Sequence, residues 1–365
     1  MDLERLRLIS RLSSWLGPWT PETRRPRGRR RTVTVEGGAS PPFDAFLYEP
    51  AGPARGALLV QAGLHYLGPA DRRMDRFLAI LADVGFVAFS PHLPDMRRMW
   101  MDRRQIDDLH AALRTFRADP AFPRAYRPGM FSISFGSYPT LHVAAREGRG
   151  VGGVVVFGGF ANFPDAVRFA LRGDKTRPPD PLNTPAIFLN IFDDLEDLPA
   201  DEGSREALRA AWIGYLRETW GRPYMRDPAY HRPVARRVAA RLPEDARALF
   251  EKVVGLRPGG PELLEPTFRR VARLPDFRMA EACAKVAGPV VVAHGRQDDV
   301  IPYEESIRLG AMFRPEARAK VFLTGLYAHT GQESVGLPAL RQELQSMWGM
   351  VAGIVAAARL PALPG

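Results

Sequence analysis

Gly129-Met130-Phe131-Ser132-Ile133-Ser134-Phe135-Gly136-Ser137 decides how the rest of this 365-residue chain is read. An apolar strand runs to Ile133, the chain must turn at Ser134, and a helix follows. A strained strand-to-helix turn exposes a hydroxyl at the edge of a sheet, which acyl transfer requires of a serine nucleophile. Small residues two before and two after that serine let the backbone bend tightly. Here they are Ser132 and Gly136. Glycine is usual at both places, so Ser132 is a departure that its small size makes tolerable. Pro139 suits only the first turn of a helix and implies a slightly late helix start. A Ser-x-Ser-x-Gly string in a Ser/Gly-rich turn is also what chance produces, so the reading needs partners elsewhere in the chain.

Short apolar runs alternate with helical patterns on both sides of this turn. The runs are Thr32–Val35, Asp44–Tyr48, Ala57–Ala62, Phe86–Ser90, Gly129–Ser132, Gly153–Phe157, Val290–His294 and Lys320–Leu323. Asp71–Val84, Arg104–Arg117 and Pro139–Arg146 read as helices between them. The rhythm predicts an α/β fold, a mostly parallel eight-stranded sheet with helices on both faces. It breaks once, between Phe163 and Lys285, in a stretch too long for a loop. Residues 163–284 read as an inserted helical cap, with Ser204–Thr219 and Arg237–Val254 its clearest helices. Within it, Ala186–Phe192 is an apolar run that fits a strand but has no evident place. Residues 32–162 and 285–365 then form the core.

Three further strand ends carry candidate chemistry. Val290-Val291-Val292-Ala293-His294-Gly295-Arg296-Gln297-Asp298-Asp299 delivers a carboxylate three residues after a glycine. An acid there can accept from an imidazole and fix its tautomer. Asp298 is preferred to Asp299 on spacing, with Asp299 left to cap the helix that starts near Pro302. His294 is expected to be structural. Val321-Phe322-Leu323-Thr324-Gly325-Leu326-Tyr327-Ala328-His329 runs from the last strand into a loop histidine, a candidate general base toward the Ser134 hydroxyl. Leu58-Leu59-Val60-Gln61-Ala62-Gly63-Leu64-His65 ends a strand in a flexible turn. The backbone N–H of Leu64, or in second place His65, together with that of Phe135, can hold an oxyanion. Asp193 and Asp194, after the unplaced apolar run, are alternative acids. They rank below Asp298 because no Gly-x-x-Asp turn precedes them.

The order oxyanion loop, serine, aspartate, histidine, each at a strand's C-terminal end, resembles the α/β-hydrolase superfamily from about Thr32 to Pro361, the insert excepted. Gly85-Phe86-Val87-Ala88-Phe89-Ser90-Pro91-His92-Leu93-Pro94 is similar to that family's fourth strand and its exit. The resemblance implies a Ser134–Asp298–His329 triad acting on a small-molecule acyl substrate. A serine at the turn argues against the superfamily's dehalogenases and epoxide hydrolases, which use aspartate there. Hydrolysis of an ester or related acyl compound leads. An acyltransferase with the same triad, or a non-catalytic binding protein of this fold, are the alternatives.

Composition narrows the partners. Apolar residues make up 45% and charged residues 25%, as in ordinary globular proteins. The net charge is +10, but residues 1–31 hold nine Arg against Asp2, Glu4 and Glu22, leaving the rest only mildly basic. No basic stripe interleaved with aromatics suggests nucleic acid. Leu3, Leu6, Ile9, Leu12 and Leu16 lie at helical spacing with arginines between them. Such a helix over residues 1–19 can lie on a membrane surface. The preferred reading is that it covers another element of its own protein. Pro18–Arg31 reads as an exposed linker. The lone Cys283 permits no internal disulfide, and the longest charge-free apolar stretch, Leu344–Ala358, is shorter than the ~20 residues of a membrane span. A cytoplasmic protein is expected. The remaining histidines lack metal-ligand spacing, and there is neither a phosphate loop nor a dinucleotide fingerprint, so no metal and no cofactor are expected.

Overall fold

The computed structural model describes residues 2–17, 20–21, 23–269, 277–325, 327–328, 331–332 and 340–363. Helix α1 (Leu3–Leu16) leads into β1 (Arg29–Val35), β2 (Phe43–Glu49) and β3 (Ala57–Gln61). Then come α2 (Arg72–Val84), β4 (Val87–Pro91), α3 (Pro94–Arg97), α4 (Gln105–Ala118), β5 (Gly129–Ile133), α5 (Ser137–Glu147) and β6 (Val154–Phe157). The eight strands form one sheet in the order β1-β2-β4-β3-β5-β6-β7-β8, with β7 at Val290–Gly295 and β8 at Lys320–Thr324. Strand β2 runs antiparallel to both neighbours, and every other pairing is parallel. The eight runs read from sequence are these eight strands, and the mostly parallel sheet expected from them is the one observed.

The interior strands are apolar almost throughout because helices cover both faces. Along β3, Leu58 and Val60 join the cluster under α1, α2 and α14 (Leu340–Ala358), whereas Ala57 and Leu59 join the one on the opposite face. Helix α1 packs on α2 and α14, burying Leu8, Ile9, Leu12 and Trp15. Ile9 and Leu12 of its apolar stripe are thus spent on its own protein, whereas Leu3 stays 74% exposed. The stretch read as an exposed linker is also tied down. Arg27 N–H donates to Asp83 (3.0 Å), Arg24 lies over the Trp15 ring (3.6 Å), and Arg29–Arg31 already belong to β1. Among the described residues no helix is long and apolar enough to cross a membrane.

Between β6 and β7 the chain makes a helical excursion. It comprises α6 (Phe163–Arg172), α7 (Asn183–Asn190), α8 (Glu202–Thr219), α9 (Pro228–Ala239), α10 (Glu244–Val253), α11 (Leu264–Phe268) and α12 (Ala280–Lys285). Its large side chains Phe188, Trp212 and Phe250 belong to the same buried cluster as Leu59 and Val156 of the sheet. Two sequence readings change here. Ala186–Phe192 is mostly α7, a helix buried on all sides, which erases the one-sided periodicity that would have marked it. Arg237–Val254 is two helices, because Pro243 lacks an N–H and breaks the ladder between α9 and α10. After β7 the chain forms α13 (Tyr303–Ala311). Glu305, 1% exposed, reaches back to accept the N–H groups of Ala161 (2.9 Å) and Asn162 (2.7 Å), fixing the exit of β6.

Candidate active site

Central strand β5 leaves the sheet at Ile133 and turns at once. Ser134 sits at φ +53°, a conformation uncommon for a residue with a side chain and costly unless its surroundings impose it. A short 3₁₀ turn over Ser134–Gly136 passes directly into α5, which begins at Ser137, so Pro139 falls in the first turn and delays nothing. The end of β3 closes against this turn. A Cβ on Gly136 would lie 2.6 Å from the Ala62 carbonyl oxygen, and one on Gly63 would lie 3.2 Å from Ser134 Cβ. Gly136 is therefore required by contact. Ser132, the departure from glycine, is fully buried, and its hydroxyl has no partner among the described residues.

Ser134 is 9% exposed and opens onto a cavity of about 1090 Å³. Ala62, Gly63, Leu64, His65 and Phe135 line the same cavity. The N–H of Phe135 lies in the first turn of its helix, where no intrahelical acceptor reaches it. No protein acceptor meets the Leu64 N–H among the described residues. Phe135 is held by ring contacts to Tyr138, Phe160, Phe163 and Phe277 at 5.5–6.0 Å. The structure thus brings Ser134, Phe135 and Leu64 together around one space.

His65, also on this rim, accepts the Leu67 N–H at Nδ1 (3.1 Å), which leaves its proton on Nε2, 3.8 Å from an Asp71 oxygen. Burial pushes its pKa down to about 4 against the opposing pull of Asp71, so the ring is neutral at pH 7.

Asp298 is 1% exposed in the turn after β7. Its Oδ1 accepts the N–H groups of Val300 and Ile301, both at 2.8 Å, and Oδ2 lies 3.3 Å from His294 Nε2. His294 is structural, as expected. Its Nε2–H donates to the Ile301 carbonyl (2.9 Å) and Nδ1 accepts from the Ser306 hydroxyl (2.6 Å). These bonds fold the turn tightly around the Asp298 carboxylate. Asp299 does not cap α13, whose N-cap is Pro302. Its carboxylate instead meets Arg226 at 2.7 Å and 3.1 Å, and Arg226 Nε lies 2.8 Å from Asp180. Of the alternative acids, Asp193 is 67% exposed and pairs with Arg209, and neither Asp193 nor Asp194 lines the cavity among the described residues.

His329 lies outside the described residues, as does Leu326 ahead of it. The strand that leads to them is anchored by Glu343, which accepts the Thr324 hydroxyl and the Gly325 N–H, both at 2.7 Å. Sequence reasoning missed Glu343. It also missed Asn190, which accepts the Met101 N–H (2.7 Å) and donates to the Met99 carbonyl (2.8 Å), joining α7 to the segment after β4. Nothing local marks either residue. The Arg226 bridge was likewise invisible, because its three members are 46 to 119 positions apart.

A mostly parallel sheet in this order, with one antiparallel strand near its edge and a strained serine turn after the central strand, decides the architecture. The fold is that of the α/β-hydrolases. No protein-family model and no curated protein matches the sequence. Solved structures do align with it. Acylaminoacyl peptidase from Pyrococcus horikoshii aligns over 89% of this chain at 12% identity (TM-score 0.45), and the chain spans only 40% of that protein's length. Est1E from Butyrivibrio proteoclasticus aligns over 88% of this chain and 98% of its own, at 14% identity and TM-score 0.47. EstE1, a carboxylesterase cloned from a metagenomic library, aligns over 97% and 94%, at 14% identity and TM-score 0.48. Identities this low say nothing of substrate. Within this α/β-hydrolase fold, Leu182, Ala186, Ile187 and Trp220 of the helical excursion supply part of the cavity wall.

Proposed function

We propose that the protein is a serine hydrolase that cleaves a carboxylic ester or related acyl compound through an acyl-enzyme on Ser134. The observation that carries this reading is Ser134 itself, held at φ +53° on the wall of a large cavity beside two backbone N–H groups that have no protein acceptor among the described residues. In this reading Ser134 Oγ attacks the acyl carbon while its proton passes to His329. The Phe135 and Leu64 N–H groups take the oxyanion, each contributing about 2.7–4 kcal/mol to transition-state stabilisation. Collapse expels the alcohol with the proton from His329, and water repeats the sequence to release the acid. Asp298 holds the imidazole in the tautomer that can accept the serine proton. Residues 163–284 act as the cap that selects the acyl group.

The test is p-nitrophenyl ester turnover across acyl lengths, wild type beside Ser134→Ala, with fluorophosphonate labelling of Ser134. Turnover lost in Ser134→Ala and a label on Ser134 support the reading. No turnover and no label would overturn it in favour of a binding protein. Label without hydrolysis, but with acyl transfer to an added alcohol, would favour an acyltransferase.

A further inference from the structure

The cavity at Ser134 has a mixed lining. One wall is apolar, built by Phe160, Phe163, Val167, Leu182 and Ile187. Cations line the cavity as well. Among the described residues, six arginines line the cavity against three aspartates. The aspartates are already engaged: Asp71 with Arg73 (3.0 Å), Asp180 with Arg226 (2.8 Å), and Asp75 with Arg30 (2.7 Å) and the Tyr48 hydroxyl.

Among the described residues, Arg25, Arg76 and Arg222 have no carboxylate partner. Arg76 is the telling member. It is half-buried, and its guanidinium donates to the carbonyls of Arg24 (2.7 Å) and Pro21 (3.4 Å). These bonds fix its position without neutralising its charge. The Trp15 ring, 5.8 Å from the same guanidinium, softens the cost of holding it partly out of water, but the full positive charge stays available to an anion.

The three arginines come from separate segments that line this one cavity. Arg24 over the Trp15 ring fastens the arm that carries Arg25, and Arg76 stands on α2. Gly221, at φ +74°, presses so closely on the same rim that a Cβ there would lie 2.6 Å from His65 Nε2 and 3.5 Å from Arg73. That contact brings Arg222 to the start of α2.

We infer that the substrate is an acyl ester or thioester whose alcohol or thiol part bears a phosphate. The acyl chain lies along the apolar wall, and the phosphate is held by Arg25, Arg76 and Arg222. Guanidinium groups bind phosphate oxygens in pairs, and a dianion with three free oxygens can engage several at once, which a single carboxylate does less well. This inference rests on the acyl-enzyme reading for its chemistry, but the anion site can be tested without catalysis.

Titration calorimetry on the full chain with uncleavable ethers provides the test. One pair is 1-O-octylglycerol 3-phosphate against 1-O-octylglycerol, and the other is S-octyl-coenzyme A against S-octyl-N-acetylcysteamine. At low salt, at least one phosphorylated ligand is expected to bind tenfold or more tightly than its neutral partner. The pair with the larger ratio tells a lipid-like alcohol from a nucleotide-bearing thiol. The ratio should shrink as salt rises, because screening weakens charge attraction. It should fall to within twofold in the triple variant Arg25→Gln/Arg76→Gln/Arg222→Gln. Equal affinities within both pairs, or a ratio the triple variant leaves intact, would overturn the inference. Turnover of p-nitrophenyl octanoate by the same preparation separates the two proposals. Turnover without phosphate preference removes only this one, whereas preference without turnover or fluorophosphonate labelling keeps the phosphate site and removes the acyl-enzyme.

Discussion

Replacing Gly136 by Ala adds one methyl where the elbow leans on β3. That carbon would stand 2.6 Å from the Ala62 carbonyl oxygen and 3.1 Å from both the Gln61 carbonyl oxygen and Gln61 Cγ. Ordinary contact begins near 3.4 Å, so the two backbones must part by about 0.8 Å. Two of the three obstructing atoms are main-chain oxygens, which no rotamer change can move aside. The end of β3 carries Gly63 and Leu64, so the displacement falls on the distance between the Leu64 and Phe135 N–H groups. Overpacking of this kind costs about 1–3 kcal/mol of stability. Loss of one oxyanion donor costs about 2.7–4 kcal/mol in the transition state, on the order of 10²–10³ in kcat. Urea unfolding and p-nitrophenyl ester kinetics read the two effects on one preparation. We expect a modest loss of stability beside a hundredfold or larger loss of kcat with KM little changed. A variant with wild-type kcat and an unaltered urea midpoint would refute the reasoning, since the elbow would then not depend on this contact.

Three other outcomes are expected. Asp298→Asn should lower kcat about 10⁴-fold, as when an orienting carboxylate is lost from a serine triad, with Asp194→Asn as the contrast; full activity in Asp298→Asn would sink the assignment. Arg226→Ala removes the guanidinium between Asp180, 7% exposed, and Asp299, 15% exposed. It should destabilise the fold by about 1–3 kcal/mol, discounted from a fully buried pair because Arg226 is partly exposed. A double-mutant cycle with Asp299→Asn checks that the loss is shared. His65 and His92 are both pushed down to about 4, chiefly by burial, against the usual 6.5. Between those values the unfolded chain binds more protons than the native one, so stability falls as pH drops from 6.5 toward 4 and is unaffected by these groups above that window. Each contributes a loss of about 2 kcal/mol at pH 5. His92→Phe, which keeps the edge contact with Phe46, should halve the combined effect in urea melts at pH 7.5 and pH 5. An unchanged pH slope would show that His92 is not buried neutral.

The sequence by itself determined the sheet and the serine turn. Interior strands of a sheet covered on both faces are written as continuous apolar runs, whereas β1 and β2 nearer the edge were legible from the alternation that one-sided exposure leaves. Ser134, Gly136 and the turn around Asp298 were legible for a related reason, since a tight bend imposes small or polar residues at fixed local offsets. Local rules failed where burial was complete or partners were distant. Ala186–Phe192 is a helix that shows no face because every side is covered. Asp299 resembled a helix cap until the fold brought Arg226 to it. Only the tertiary structure decided that three arginines from an arm, a helix and a turn, without a carboxylate partner among the described residues, share one cavity with an apolar wall, because ion pairing and cavity shape depend on which segments meet in space. A sequence records the charges along the chain, but packing decides which are neutralised and which are left facing a ligand.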